Sequence, residues 1–141
     1  MAIQKSGSAH WQGGLRDGQG TLSLESGALR GQSYSFAKRF GGEAGTNPEE
    51  LIGAAHAACF AMAMSNELGR AGLTADSIEA TSTVTLDPAQ GKITQVHVEV
   101  VATVPGATPD QFAAVAETTK VNCPVSKVLA AADITMAARL G

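Results

Sequence analysis

Apolar residues follow two different periods along this chain. Ile78, Ala80, Ser82, Val84 and Leu86 alternate with polar or exposed partners. Val96, Val98, Val100, Ala102 and Val104 repeat the alternation after Asp87-Pro88-Ala89-Gln90-Gly91. A period of two marks a half-buried strand, so this region predicts a long antiparallel hairpin with one buried face. From Leu51 to about Leu68 the alternation gives way to an Ala-rich run that is apolar on most faces, which predicts a buried helix. Its start is written in Asn47-Pro48-Glu49-Glu50. Asn47 can cap, Pro48 suits the first helical position, and two acids complement the dipole. Glu50, three residues after Asn47, adds a capping-box-like reciprocity. The stop falls between Gly69 and Gly72.

Short strands and glycine turns fill the first 40 residues. Ala9-His10-Trp11-Gln12 and Gly20-Thr21-Leu22-Ser23-Leu24 flank a turn at Arg16-Asp17-Gly18, a hairpin signal. Gln32 to Phe40 alternates Tyr34, Phe36 and Lys38 with small or polar residues and reads as a third strand. Beyond the long hairpin, Thr108-Pro109 opens a helix that turns Phe112, Val115 and Ala116 inward. Cys123-Pro124 begins a short helix through Leu129, and Ile134, Met136, Ala138 and Leu140 form a last strand. The order β-β-β-α-β-β-α-α-β fits an α+β domain with antiparallel sheet and helices segregated on it.

The length of 141 residues suits one domain, residues 1–141, with one proper core. Hydrophobic residues at 44% and charged residues at 16% make the chain globular rather than disordered. The formal charge is −3 and the ten Lys and Arg residues are scattered, so no basic run exists to neutralise a row of phosphates. Nucleic acid is therefore not an expected partner. The longest apolar run, Leu51 to Met64, is shorter than the roughly 20 residues a bilayer span needs. Met1 to Gly7 lacks the apolar segment of a secretory signal. A cytoplasmic protein without a membrane partner is expected.

Two cysteines in a cytosolic chain are more often inert, catalytic or redox-active than structural. Cys59 lies mid-helix among Ala57, Ala58, Phe60 and Ala61, where a cysteine is ordinarily a small buried hydrophobe. A reactive thiol needs thiolate character, and the local sequence offers only His56, one turn back. Cys123 has the better local case, since Pro124 places it near the start of a short helix. Sequence arithmetic leaves open which thiol attacks. A metal held by His56, Cys59 and Cys123, with His97 or His10, is weakly supported. The cysteines are 64 residues apart (123 − 59), and no C-x-x-C or H-E-x-x-H unit is present. Neither a G-x-S-x-G elbow nor a phosphate-binding G-x-x-x-x-G-K-[ST] loop occurs. Gly41-Gly42-Glu43-Ala44-Gly45 lacks dinucleotide spacing and reads as a turn.

The run Gly45-Thr46-Asn47-Pro48-Glu49-Glu50-Leu51-Ile52-Gly53-Ala54-Ala55-His56-Ala57-Ala58-Cys59-Phe60 resembles the long motif of the OsmC/Ohr family of hydroperoxide reductases. Asn122-Cys123-Pro124-Val125-Ser126-Lys127-Val128-Leu129 resembles that family's second motif. His10-Trp11 and Lys38-Arg39-Phe40 also match, so the resemblance covers nearly the whole chain. His56 and the Cys-Pro-Val-Ser run favour the OsmC branch. The resemblance implies an OsmC-like α+β fold with antiparallel sheets, a long buried central helix and an intertwined two-fold dimer. It further implies that Cys59 reduces an organic hydroperoxide, forming a sulfenic acid that Cys123 resolves to a disulfide. An external dithiol of the lipoyl type would then reduce that disulfide, with no cofactor or metal required.

The same resemblance implies an arginine, held by a glutamate, that activates Cys59. By motif position these are Arg39 and Glu49, with Arg16 a weaker candidate from an early Gly-rich turn. Glu49 and Cys59 are ten residues apart on the expected helix, about 15 Å along its axis. An antiparallel helix of a second subunit would bring that subunit's Glu49 to Cys59, and the alanines permit close packing. A homodimer with two composite sites is therefore expected. Otherwise Arg39 and Glu49 are an ordinary surface ion pair, His56 merely packs, and the cysteine pair serves a non-catalytic redox switch or stress-binding dimer. Phe36, Phe40, Phe60, Met62 and Met64, near the motif residues in sequence, suit an organic peroxide over a hydrophilic one.

Overall fold

Alternation fixes the largest sheet. In the computed structural model, which describes Met1–Gly141, β4 (Ser77–Asp87) and β5 (Lys92–Thr103) form the expected antiparallel hairpin. Its register pairs Ile78 with Ala102, Ala80 with Val100, Ser82 with Val98 and Val84 with Val96. The two apolar series therefore share one face, and Val96, Val98, Val100 and Ala102 are fully buried. At the turn Asp87 accepts hydrogen bonds from the backbone N–H groups of Ala89 and Gln90.

The chain forms two compact units, Met1–Leu51 and Ile52–Gly141. In the first, β1 (Gly7–Gln12), β2 (Gln19–Leu24) and β3 (Gln32–Tyr34) make an antiparallel sheet in the order β1-β2-β3. Gly20 lies between Trp11 and Tyr34, whose rings are 5.4 Å apart. A Cβ there would fall 2.5 Å from the Tyr34 ring and 2.6 Å from that of Trp11. The close approach of the two aromatics therefore requires a residue with no side chain.

The third strand is shorter than the alternation over Gln32 to Phe40 predicts. It ends at Tyr34, and α1 (Phe36–Phe40) follows. Ser35 caps this turn by accepting a hydrogen bond from the Lys38 N–H, and Phe36 packs on Phe40 at 4.9 Å between centroids. Aromatics four apart satisfy a helical period as well as an alternating one, and the cap decides between them. The long helix is α2 (Pro48–Arg70). Asn47 accepts a 2.8 Å hydrogen bond from the Glu50 N–H, as a capping residue should.

In the second unit α2 buries Gly53, His56, Phe60, Met64 and Leu68, one stripe at helical spacing. Phe60, Met64 and Leu68 share a core with Val98, Val100, Ala102, Phe112, Val115, Ala116 and Cys123. The expectation that α2 is buried on most faces does not hold within one chain. Ala54, Ala55, Ala58 and Met62 form an exposed stripe opposite.

Thr108 and Gln111 close a full capping box on α3 (Pro109–Asn122), and α4 (Pro124–Val128) follows at once. The last strand, β6 (Asp133–Leu140), pairs with β5 in parallel, so the sheet β4-β5-β6 is mixed rather than antiparallel. Helices α3 and α4 return the chain to the start of β5 before β6 begins, as a parallel pairing requires. The architecture is α+β, with two three-stranded sheets and one long helix. No helix is long and apolar enough to cross a membrane.

Candidate active site

Pro124 decides where the second thiol points. A residue before proline is pushed out of the helical region, and Cys123 sits at φ −56°, ψ 121°, between α3 and α4. Its N–H still bonds the Thr119 carbonyl at 2.9 Å, and its carbonyl accepts from the Lys127 N–H at 3.0 Å. The backbone breaks direction at this residue while losing neither bond.

Cys59 Sγ and Cys123 Sγ lie 3.3 Å apart, in hydrogen-bond contact. Cys123 is fully buried, whereas Cys59, beside the buried stripe of α2, keeps part of its surface in solvent. The backbone N–H of Val125, in the first turn of α4, also donates to Cys59. Burial pushes the Cys59 thiol above its ordinary pKa, the Val125 N–H works the other way, and Cys123 adds to the rise. The free sequence left open which thiol could attack; accessibility favours Cys59.

His56, one turn before Cys59, is fully buried. Its Nδ1 lies 2.8 Å from Ser82 Oγ on β4, and its Nε2 lies 2.7 Å from Ser126 Oγ on α4. Burial lowers its pKa, so the ring is neutral near pH 7. With both nitrogens engaged by serines, His56 is not free to complete the metal set that its spacing to Cys59 suggests. No group of three or more His, Cys, Asp or Glu side chains is gathered as a metal site. Ser126 belongs to the second motif, but nothing in the sequence tied it or Ser82 to His56, from which they are 70 and 26 residues away.

Arg39 and Glu49 meet within the first unit. Arg39 Nη2 lies 2.7 Å from Glu49 Oε1, and Nε lies 3.1 Å from Oε2, a two-pronged pairing. The carboxylate raises the guanidinium pKa above its ordinary value, chiefly through this hydrogen bond. Glu49 is 11% exposed and Arg39 37% exposed, so the cation keeps an open side. The Arg39 guanidinium lies over the Phe40 ring at 5.2 Å, and Arg16 lies over Phe36 at 4.9 Å. A hollow of about 270 Å³ is bounded by Trp11, Leu15, Tyr34, Phe36, Arg39 and Phe40. Of the apolar residues expected near a peroxide, Phe36 and Phe40 line this hollow. Phe60 and Met64 are sealed in the core, where no substrate reaches them.

The sequence profile of the OsmC-like proteins matches residues 41–137 of this chain. Peroxiredoxin OsmC of Escherichia coli (strain K12) is 50% identical over 138 residues, covering 96% of each chain. The structure of an OsmC-like protein from Mycoplasma pneumoniae superposes with a TM-score of 0.74 at 12% identity, covering 99% of both chains. An organic hydroperoxide resistance protein from Legionella pneumophila gives a TM-score of 0.70 at 22% identity, covering 100% of this chain and 98% of its own. These two structural likenesses speak for the fold.

Proposed function

The chain belongs to the OsmC-like family, and from that premise we propose that it is a thiol-dependent peroxidase acting on organic hydroperoxides through Cys59 and Cys123. The observation that carries this reading is the 3.3 Å contact between a partly exposed thiol and a fully buried one. Only the exposed member can meet a peroxide, and only a neighbour already in contact can capture the product.

In the first step the Cys59 thiolate attacks the outer oxygen of R–O–O–H. The O–O bond breaks, Cys59 becomes a sulfenic acid, and the alkoxide leaves as alcohol after taking a proton. Next the Cys123 sulfur attacks Cys59 Sγ, the S–O bond breaks, and the hydroxide leaves as water. An external dithiol, of the lipoyl type, returns the pair to thiols and is itself oxidised. A reducing compartment, the cytoplasm, suits such a cycle.

Burial holds the Cys59 thiol high, so attack near neutral pH requires a cation that favours the thiolate. Arg39, oriented by Glu49, supplies it from a second subunit. Glu49 precedes Cys59 by ten residues on α2, too far to serve it along one helix. The exposed stripe Ala54, Ala55, Ala58 and Met62 lets a partner α2 lie close in an antiparallel dimer. The hollow beside Arg39 is aromatic and fits the organic part of the peroxide better than hydrogen peroxide alone.

Consumption of cumene hydroperoxide with dihydrolipoamide tests the proposal. Many turnovers, lost in Cys59→Ser, support it. Loss only in Cys123→Ser would exchange the roles of the thiols, and a single turnover would leave a redox switch. Equal turnover of hydrogen peroxide would remove the organic preference. Mixing Cys59→Ser with Arg39→Met subunits should restore about a quarter of the activity if the sites are composite, and none if each chain serves itself.

A further inference from the structure

Helices α2 and α4 are joined by two rungs at matched spacing. Cys59 meets Cys123, and three residues away on each side His56 meets Ser126. The numbering runs upward on α4 as it runs downward on α2, so both rungs share one register. The second rung is anchored more deeply than the first. His56 is fully buried, Ser126 is 2% exposed, and the other ring nitrogen is held by Ser82 in the middle of the β4–β5 ladder. Beyond the thiol contacts, Ser126–His56 is the one side-chain hydrogen bond that α4 makes to another element.

The chemistry of the first rung makes that anchor matter. The two sulfurs lie 3.3 Å apart, and a disulfide bond is about 2.0 Å long, so closure asks for an approach of a little over 1 Å. The reaction is Cys59–SOH plus Cys123–SH giving the disulfide plus water. While it waits, a second hydroperoxide can oxidise the sulfenic acid to a sulfinic acid and leave as alcohol, and that product is lost to the cycle. The thiol rung is rebuilt at each turnover, whereas the His56–Ser126 rung involves no redox group. Either tautomer of neutral His56 completes it, since serine can donate or accept.

We propose that His56 is a positioning residue for disulfide closure: by holding Ser126 it keeps Cys123 in register with Cys59 while leaving the peroxide attack itself unchanged. The inference rests on the two-cysteine reading above. It gives His56, which peroxide chemistry does not use, a defined step in the cycle.

Single-turnover kinetics on the reduced full-length chain tests it. Sulfenic acid is trapped with a cyclic diketone, and disulfide formation is followed by loss of free thiol. In Ser126→Ala, oxidation of Cys59 should stay within about twofold of the unsubstituted protein and closure should slow about tenfold, the scale of one lost hydrogen bond. The share of sulfinic acid at excess hydroperoxide should rise accordingly. Ser126→Thr, which keeps the hydroxyl, should restore closure. His56→Phe should slow closure by a similar factor and add nothing further in combination with Ser126→Ala.

Closure within twofold of normal in Ser126→Ala would overturn the proposal. So would equal slowing of both steps, equal slowing in Ser126→Thr, or additive slowing in the double variant. A second arm needs no peroxide. Cys59 is loaded with an aromatic disulfide, and closure by Cys123 releases the aromatic thiol, whose appearance should be slowed by Ser126→Ala and rescued by Ser126→Thr. If hydroperoxide leaves the thiols untouched, the peroxidase reading fails and this arm alone decides the present inference. If peroxide turns over but neither arm responds to Ser126, the peroxidase stands and the positioning role falls.

Discussion

The same substitution at two glycines of α2 should have opposite effects. A Cβ at Gly53 would lie 2.7 Å from the Ser82 carbonyl oxygen, whereas one at Gly69 would meet nothing within 4 Å. Neither glycine is among those with positive φ, so backbone strain favours glycine at neither site. Ordinary contact begins near 3.4 Å, so Gly53→Ala demands a retreat of about 0.7 Å (3.4 − 2.7). Ser82 is paired with Val98 in the β4–β5 ladder, and α2 must give instead. A gap of 0.5–1 Å forfeits roughly a quarter to a half of the dispersion attraction at the affected contacts, here those of His56 and Phe60, both fully buried. Overpacking of this kind costs about 1–3 kcal/mol, against a gain of about 1 kcal/mol in helix propensity. Gly53→Ala should therefore lose about 1 kcal/mol net, and Gly69→Ala should gain up to about 1 kcal/mol. Urea unfolding of the reduced proteins at one fixed concentration reads both as shifts of the midpoint. A Gly53→Ala midpoint equal to or above that of the unsubstituted protein would refute the packing argument, most clearly if Gly69→Ala behaves as expected.

Three further outcomes follow from the site. Cys123→Ser should retain the first oxidation of Cys59 while accumulating sulfenic and sulfinic acid, as intact-mass measurement would record; unchanged turnover with dithiol would exclude Cys123 as the resolving thiol. Because burial holds the Cys59 thiol high and only its thiolate attacks, the rate of oxidation should climb as pH rises through that pKa. Arg39→Met should slow the step about 10²-fold and displace the profile to higher pH, with Glu49→Gln falling between, and an unmoved profile would deny Arg39 its role. His56 has its pKa depressed by burial, so between the ordinary value of about 6.5 and its lower folded value the unfolded chain takes up a proton that the folded chain refuses. Its contribution is complete above that window and declines as pH falls through it, at up to about 1.4 kcal/mol per pH unit. Urea midpoints across the window should show a slope that His56→Phe reduces.

What the sequence disclosed depended on how far each signal had to reach. The β4–β5 hairpin and its buried face were legible because alternation and the Asp87–Gly91 turn are local, whereas the register shift between Thr85 and Leu86 left no mark in the alternation. So were the caps at Asn47 and Thr108 and the break at Pro124. The segment Ser35–Phe40 misled because two phenylalanines four apart satisfy both periods, and only the Ser35 cap distinguishes them. The direction of β6 was illegible, since a strand's own pattern does not record which way its neighbour runs. The intervening helices set it. The pairing of Cys59 with Cys123, 64 residues apart, came from family resemblance rather than spacing, and so did that of Arg39 with Glu49. The contacts of His56 were illegible because Ser82 stands alone in its strand pattern, and the motif that holds Ser126 does not say which residue its hydroxyl meets.

The unequal exposure of the two sulfurs also makes the disulfide directional. Once they are joined, an incoming thiolate can reach only the Cys59 side, because Cys123 lies beneath the surface. Cys123 must then be the leaving group of the exchange, and every mixed disulfide with the reductant is carried on Cys59. A monothiol and a dithiol would meet different fates there. After either attacks, the freed Cys123 sulfur stands beside Cys59 and can expel the newcomer, restoring the original bond. Only a reductant holding a second thiol within its own molecule can cut in ahead of that return. On the proposed cycle, a preference for a dithiol would be a competition between two intramolecular nucleophiles, one belonging to the protein and one to its visitor.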